Sequence, residues 1–199
     1  MKKMIHLGLF LIILGAIAGC SSSSTDGPSL NSSSAASQSK TMNSQTMSSG
    51  TERKVSVDEA AKLFKDNYPE TDITSLDLEK SLGKYVYKIE GVDDTKEYEL
   101  QIDSESKKVS KKSEETLDSD EQNGVKRKED KLDLNDLLTI DEVSKIAVKE
   151  VGSGEATEWS LDKDLAITYW EVKVKDGQKE AEVKINAQSG KVLATDLDD

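Results

Sequence analysis

Histidine and cysteine are almost absent from this chain. The one histidine is His6 and the one cysteine is Cys20, and all 199 residues hold no others. Everything after Cys20 therefore has neither imidazole nor thiol. That removes Ser-His-Asp triads, Cys-His pairs and His-ligated zinc from the available chemistry. A lone cysteine also has no disulfide partner. No apolar run reaches the roughly 20 residues that a membrane-spanning helix needs. The longest runs from Met4 to Ile17 and is interrupted by His6, Gly8 and Gly15. Basic residues are scarce as well. Lys and Arg number 27 against 39 Asp and Glu, a formal net charge of −12, and removal of a leader holding Lys2 and Lys3 takes it to −14. Such a chain repels phosphate polymers and anionic headgroups, and it lacks the basic footprint that nucleic-acid binding needs.

The first residues combine a charged start (Lys2, Lys3), an apolar stretch and small residues, which is the pattern of a secretory signal. The stretch closes on Ile17-Ala18-Gly19-Cys20. This tetrapeptide resembles the bacterial lipobox. The resemblance implies cleavage before Cys20, a diacylglycerol thioether on its sulfur, and anchorage on the outer side of the bacterial cytoplasmic membrane. Two acyl chains, at about 0.8 kcal/mol per buried methylene, give stable anchoring. Residues 1–19 are thus expected to be a lipoprotein signal peptide. Residues 20–52 are rich in Ser, Thr, Asn and Gln. They cannot bury enough apolar area to offset chain entropy, so the lipidated cysteine and a disordered tether are expected there.

The remainder is one unit written twice. At an offset of 83 positions, Asp58 falls on Asp141, Glu59 on Glu142, Leu78 on Leu161, Leu82 on Leu165, Tyr87 on Trp170 and Ile102 on Ile185. Each copy opens with a capping box, Ser56-x-x-Glu59 and Thr139-x-x-Glu142. Apolar residues follow at helical spacing: Val57, Ala60, Ala61, Phe64 and Tyr68, then Ile140, Val143, Ala147 and Val151. Alternation at period two comes next. Trp159 and Leu161, then Trp170, Val172 and Val174, then Ala181, Val183 and Ile185 each share one strand face, with a tight turn at Asp176-Gly177. Leu76 and Leu78, Tyr85, Tyr87 and Ile89, and Tyr98, Leu100 and Ile102 do the same in the first copy. The expected fold is α+β: two tandem α-β-β-β units, each with one helix packed on a small antiparallel sheet. The first spans 53–112 and the second 136–199, with a charged linker at 113–135 whose charges are expected to be solvated.

This α-β-β-β unit resembles the PepSY domain. The resemblance rests on Thr-Ile-Asp-Glu-Val-Ser-Lys-Ile-Ala at 139–147, Tyr-Trp-Glu-Val-Lys-Val at 169–174 and Val-Lys-Ile-Asn-Ala-Gln-Ser-Gly-Lys-Val at 183–192. The first copy departs from it at 103–109, which lacks the turn glycine. The family occurs in propeptides of thermolysin-like metallopeptidases and in secreted or membrane-tethered bacterial proteins. The resemblance implies a non-catalytic module that binds or restrains a secreted peptidase or another envelope protein. It carries over no catalytic residue, metal ligand or cofactor.

Alternation places Tyr169 and Val86 on the outer sheet face, and exposed apolar groups there make them candidates for a partner surface. Trp159 and Trp170 fall on the inner face and read as core. Gly152-Ser153-Gly154 lacks the strand-turn-helix setting of a nucleophile elbow and reads as a helix end. The acidic runs at 93–94, 118–121 and 196–199 do not match the twelve-residue calcium loop. A different expectation follows from acidity alone: a surface lipoprotein that captures cations or cationic ligands.

Overall fold

The two capping boxes form as the sequence requires. In this computed structural model, which describes residues 53–198, Ser56 Oγ accepts from the Glu59 amide at 3.2 Å and Glu59 accepts from the Ser56 amide at 3.2 Å. Thr139 and Glu142 repeat the exchange at 3.3 and 2.8 Å. Each cap contributes about 1 kcal/mol by satisfying amides that the first helical turn leaves open. They start α1 (Val57–Asn67) and α3 (Ile140–Val151). Pro69 stops α1 after Tyr68, since the residue before proline avoids the helical region. Gly152, left-handed at φ 96°, ends α3.

Each helix feeds four antiparallel strands. The first set is β1 (Asp72–Ser81), β2 (Lys84–Val92), β3 (Lys96–Asp103) and β4 (Val109–Thr116). The second is β5 (Glu155–Asp164), β6 (Ile167–Asp176), β7 (Lys179–Asn186) and β8 (Val192–Asp198). The expected α+β architecture of two repeated helix-then-strands units is present. Beyond it, a fourth strand completes each unit, and the two sheets run into one. The strand order is β4-β3-β2-β1-β5-β6-β7-β8.

The junction is β1 against β5, paired as Leu76–Leu161, Asp77–Ser160 and Leu78–Trp159. The repeat offset turns this register into symmetry. Asp77 faces its own counterpart Ser160, and the pairs on either side are exchanged copies of each other. A pseudo-two-fold axis therefore passes between Asp77 and Ser160. The sheet irregularities obey it too: Ile73/Ser75 and Ala156/Glu158 are counterparts, as are Gln101/Ile102 and Lys184/Ile185.

Both helices lie on one face. Ala60, Ala61 and Phe64 of α1 and Ile140, Val143 and Ala147 of α3 join the inward strand residues in a single apolar core. Leu76, Leu161 and Trp170 are completely buried, and Trp159 is nearly so. Phe64 packs so closely on β2 that a Cβ on Gly91 would stand 2.7 Å from its ring and 2.7 Å from the Asp72 carbonyl oxygen, which accounts for glycine there.

The charged stretch between the units is docked rather than solvated. It contains a short helix, α2 (Val125–Asp130). Arg127 reaches Asp72 at 2.6 Å and Asp94 at 3.3 Å, and Lys126 reaches Glu97 at 2.9 Å. Downstream, the Leu132 amide donates to the Ile73 carbonyl at 3.0 Å, and the Asp133 amide donates to Thr168 Oγ1 at 2.9 Å. The segment thus straps one unit to the other. Acids and bases 29 to 55 positions apart in sequence satisfy each other once the chain folds back, a pairing that composition does not reveal.

Candidate partner surface

Helices α1 and α3 cover one side of the sheet; α2 reaches the other only at its β2–β3 end, where Lys126 pairs with Glu97 at 2.9 Å. That outer face is built from the alternate residues of every strand. Across its middle run Gln101, Lys88, Asp77, Ser160, Glu171 and Lys184, opposite one another from β3 to β7. Cross-strand ion pairs populate it: Lys184–Glu171 at 3.2 Å, Lys173–Glu158 at 3.2 Å and Lys111–Glu99 at 3.0 Å. A shallow groove of about 180 Å³ lies along the β1–β5 seam, with Asp77, Glu79, Glu158 and Ser160 among its walls. A larger cleft of about 550 Å³ sits where the linker crosses, lined by Lys65, Asp72, Leu132, Lys163 and Thr168 among others.

Tyr169 and Val86 both stand on the outer face, half-buried. Tyr169 lies opposite Asp162 and Asn186, and Lys184 Nζ sits 5.1 Å from its ring centroid. Burial pushes its hydroxyl above the ordinary phenol range, with the Asp162 charge adding to the effect. Val86 lies opposite Glu79 and Asp103. The two are counterparts in the repeat, so the axis places them on opposite sides of the seam. With strands spaced about 4.8 Å apart and rising about 3.4 Å per residue, they are roughly 20 Å apart. The structure does not bring them together into one patch. Cys20 lies outside the described residues.

The seam holds a group that alternation alone did not single out. Ser160 Oγ lies within hydrogen-bonding distance of both Asp77 Oδ1 and, at 2.9 Å, Asp162 Oδ2. Burial pushes the Asp162 carboxyl up to about 6, and the charges of Asp77, Glu171 and Glu90 push the same way, while the Ser160 hydroxyl opposes them. Burial also raises Asp77, against Ser160 and Lys88. The signal was present in the offset that lays Asp77 on Ser160. What was missing was the strand register that sets them face to face.

Two further features were hidden in the repeat. Leu82 and Leu165 occupy the β1–β2 and β5–β6 hairpin tips, fully exposed at 103% and 93%, with left-handed φ of 51° and 56°. A bulky side chain is uncommon in that conformation. The sheet's two free edges also differ. On β4, Lys111 pairs with Glu99 and Glu114 with Lys96, and charges of this kind discourage strand addition. β8 carries no Lys, Arg or Pro, its only charged residues being Asp196 and Asp198, and its Leu193 and Leu197 are 41% and 62% exposed.

Trp159 and Trp170 are core residues. Their indole N–H groups donate to Ser144 Oγ at 2.9 Å and to the Leu138 carbonyl at 3.2 Å. Ser153 is no nucleophile elbow: it follows the Gly152 helix end and its hydroxyl donates to Asp176 at 2.6 Å. Asp93 organises a turn, accepting from the Thr95 and Lys96 amides and the Tyr98 hydroxyl, each at 2.7 Å. Although burial opposes it, these bonds hold its carboxyl down at about 2. Among the described residues, no three His, Cys, Asp or Glu side chains cluster in a way that could hold a metal ion. No described helix is long and apolar enough to cross a membrane.

A capped helix followed by four antiparallel strands, written twice and fused edge to edge, defines a tandem α+β module. The comparisons give that module its family. The model for the peptidase propeptide and YPEB domain, PepSY, matches residues 54–112 and again 137–196. The chain belongs to the PepSY family and carries two copies of the domain. It is similar to a crystal structure of a protein from Clostridium difficile 630 that is assigned as a lipoprotein. The two share 42% identity over 74% of this chain and 96% of the other, with a TM-score of 0.71. No curated protein matches the chain.

Proposed function

We propose that this protein is a non-enzymatic binding module of the bacterial cell envelope, anchored through Cys20 on the outer side of the cytoplasmic membrane, that restrains or assists a secreted peptidase or another envelope protein. One observation carries the reading: α1 and α3 occupy a single side of the sheet, so among the described residues most of the opposite face and the β8 edge are open to a partner. An extended partner segment can add to β8 through main-chain hydrogen bonds, with Leu193 and Leu197 offering apolar contact beside them. The absence of histidine and thiol after Cys20 argues against nucleophilic catalysis of the common kinds. PepSY membership and the lipoprotein assignment of the similar protein support the envelope role.

The direct test adds the purified protein to a thermolysin-like metallopeptidase secreted by the same organism and follows peptide hydrolysis. Saturable inhibition or activation that is lost on Leu197→Lys would support the reading. Unchanged hydrolysis and no complex by size-exclusion chromatography, at concentrations up to about 100 μM, would count against peptidase control.

A further inference from the structure

The seam between the repeats poses a problem of proton counting. Ser160 has one hydroxyl hydrogen, and two carboxylates lie within hydrogen-bonding distance of its oxygen. It can donate to one of them only. Among the described residues, neither Asp77 nor Asp162 has a Lys or Arg nitrogen within 4 Å. The lysines nearby are engaged elsewhere: Lys88 with Glu90 at 3.6 Å and Lys184 with Glu171 at 3.2 Å. The other groups around the pair are mostly acidic. They are Glu79 on β1, Glu90 on β2, Glu158 and Asp164 on β5, Glu171 on β6 and Glu182 on β7, with the Tyr169 phenol beside them; Lys173, which lines the same groove, pairs with Glu158 at 3.2 Å. Helices α1 and α3 lie behind the sheet, and α2 reaches this face at its β2–β3 end, where Lys126 pairs with Glu97.

We propose that the β1–β5 joint is held by a shared proton: one of the two carboxyl groups on Ser160 is protonated in the folded protein, and its ionisation as pH rises loosens the junction of the repeats. The protonated carboxyl donates to Ser160 Oγ, whose own hydrogen passes to the other carboxylate. The chain carboxylic acid, hydroxyl, carboxylate then uses two hydrogens for two bonds and leaves one negative charge in place of two. Burial and the Asp77 charge mark Asp162 as the acid and Asp77 as the carboxylate. The divergence of the repeats agrees. A faithful second copy would place aspartate at 160, directly opposite Asp77, and serine there removes that charge. The joint is also the shortest ladder in the sheet, three residue pairs against nine between β1 and β2, so it has little backbone pairing in reserve.

The sign follows from the linkage. Folding raises the affinity of Asp162 for its proton, so stability from this source is complete below the unfolded carboxyl value near 4. It falls as pH rises through about 6. The test is an unfolding series on the full chain between pH 4 and 8, with ¹³C titration of the aspartate carboxyls in the native protein. The unfolding constant should rise about 50-fold across that range from this group. Asp162→Asn, whose amide donates to Ser160 without a proton from solvent, should remove that component. Asp164→Asn, exposed on the same strand, should retain it. An unchanged pH dependence in Asp162→Asn would overturn the proposal. So would native carboxyl titrations in which Asp77 and Asp162 both ionise near 4. That second measurement decides the matter alone if the asparagine variant does not fold.

Discussion

Trp170 and its neighbour Tyr169 test the face assignment on which the candidate surface depends. Trp170 is completely buried, opposite Leu161 on β5 and Ile185 on β7, and its indole N–H binds the Leu138 carbonyl. Trp170→Ala loses the transfer energy of the ring, opens a cavity and orphans that carbonyl, for a total of about 4 kcal/mol. Trp170→Phe keeps most of the volume and loses the hydrogen bond, so about 1–2 kcal/mol is expected. Tyr169, one residue away, faces out beneath Lys184, and Tyr169→Ala should cost about 1 kcal/mol or less. The assay is urea unfolding followed by circular dichroism at fixed pH. One core spans both repeats, so a single transition is expected. With a slope of about 2 kcal/mol per molar urea, Trp170→Ala moves the midpoint down by roughly 2 M. If Tyr169→Ala destabilised as much as Trp170→Ala, the strand would be turned over and the outer face wrongly assigned.

Other outcomes follow from single residues. Ser104 is completely buried and its hydroxyl has no partner among the described residues, while its repeat counterpart is Ala187; Ser104→Ala should stabilise by about 1 kcal/mol in the same unfolding assay. Gly91→Ala forces a Cβ against Phe64 and the Asp72 carbonyl and should destabilise by about 1–3 kcal/mol, seen as a lower melting temperature. Leu82→Asn and Leu165→Asn relieve left-handed leucines at the hairpin tips and should each raise stability by about 0.5–1 kcal/mol; a lower melting temperature for both would show that the leucines are not so placed. Asp93 has a lowered folded-state carboxyl, so its contribution is present above about pH 4 and lost as pH falls toward 2. Solvent screening limits it to about 1 kcal/mol, and Asp93→Asn should flatten the acid limb of the unfolding profile.

Much of this protein was legible in one dimension, and for local reasons. Ser56 and Thr139 cap their helices through contacts three residues long, and Trp170 and Tyr169 divide between the two faces because strand side chains alternate. The offset of 83 made the duplication visible, and the loss of histidine and thiol after Cys20 bounded the chemistry. Tertiary structure alone decided how the copies meet. The β1–β5 joint is made by backbone hydrogen bonds, which carry no side-chain signature, so nothing in the sequence told Asp77 that its neighbour would be Ser160. The docking of α2 rests likewise on Arg127 finding Asp72, 55 positions away, in a chain with many acids to choose from. Sequence determines what each segment buries. Which segments become neighbours across long separations depends on the closure of the whole sheet, and there the seam, the open face and the free β8 edge come into being.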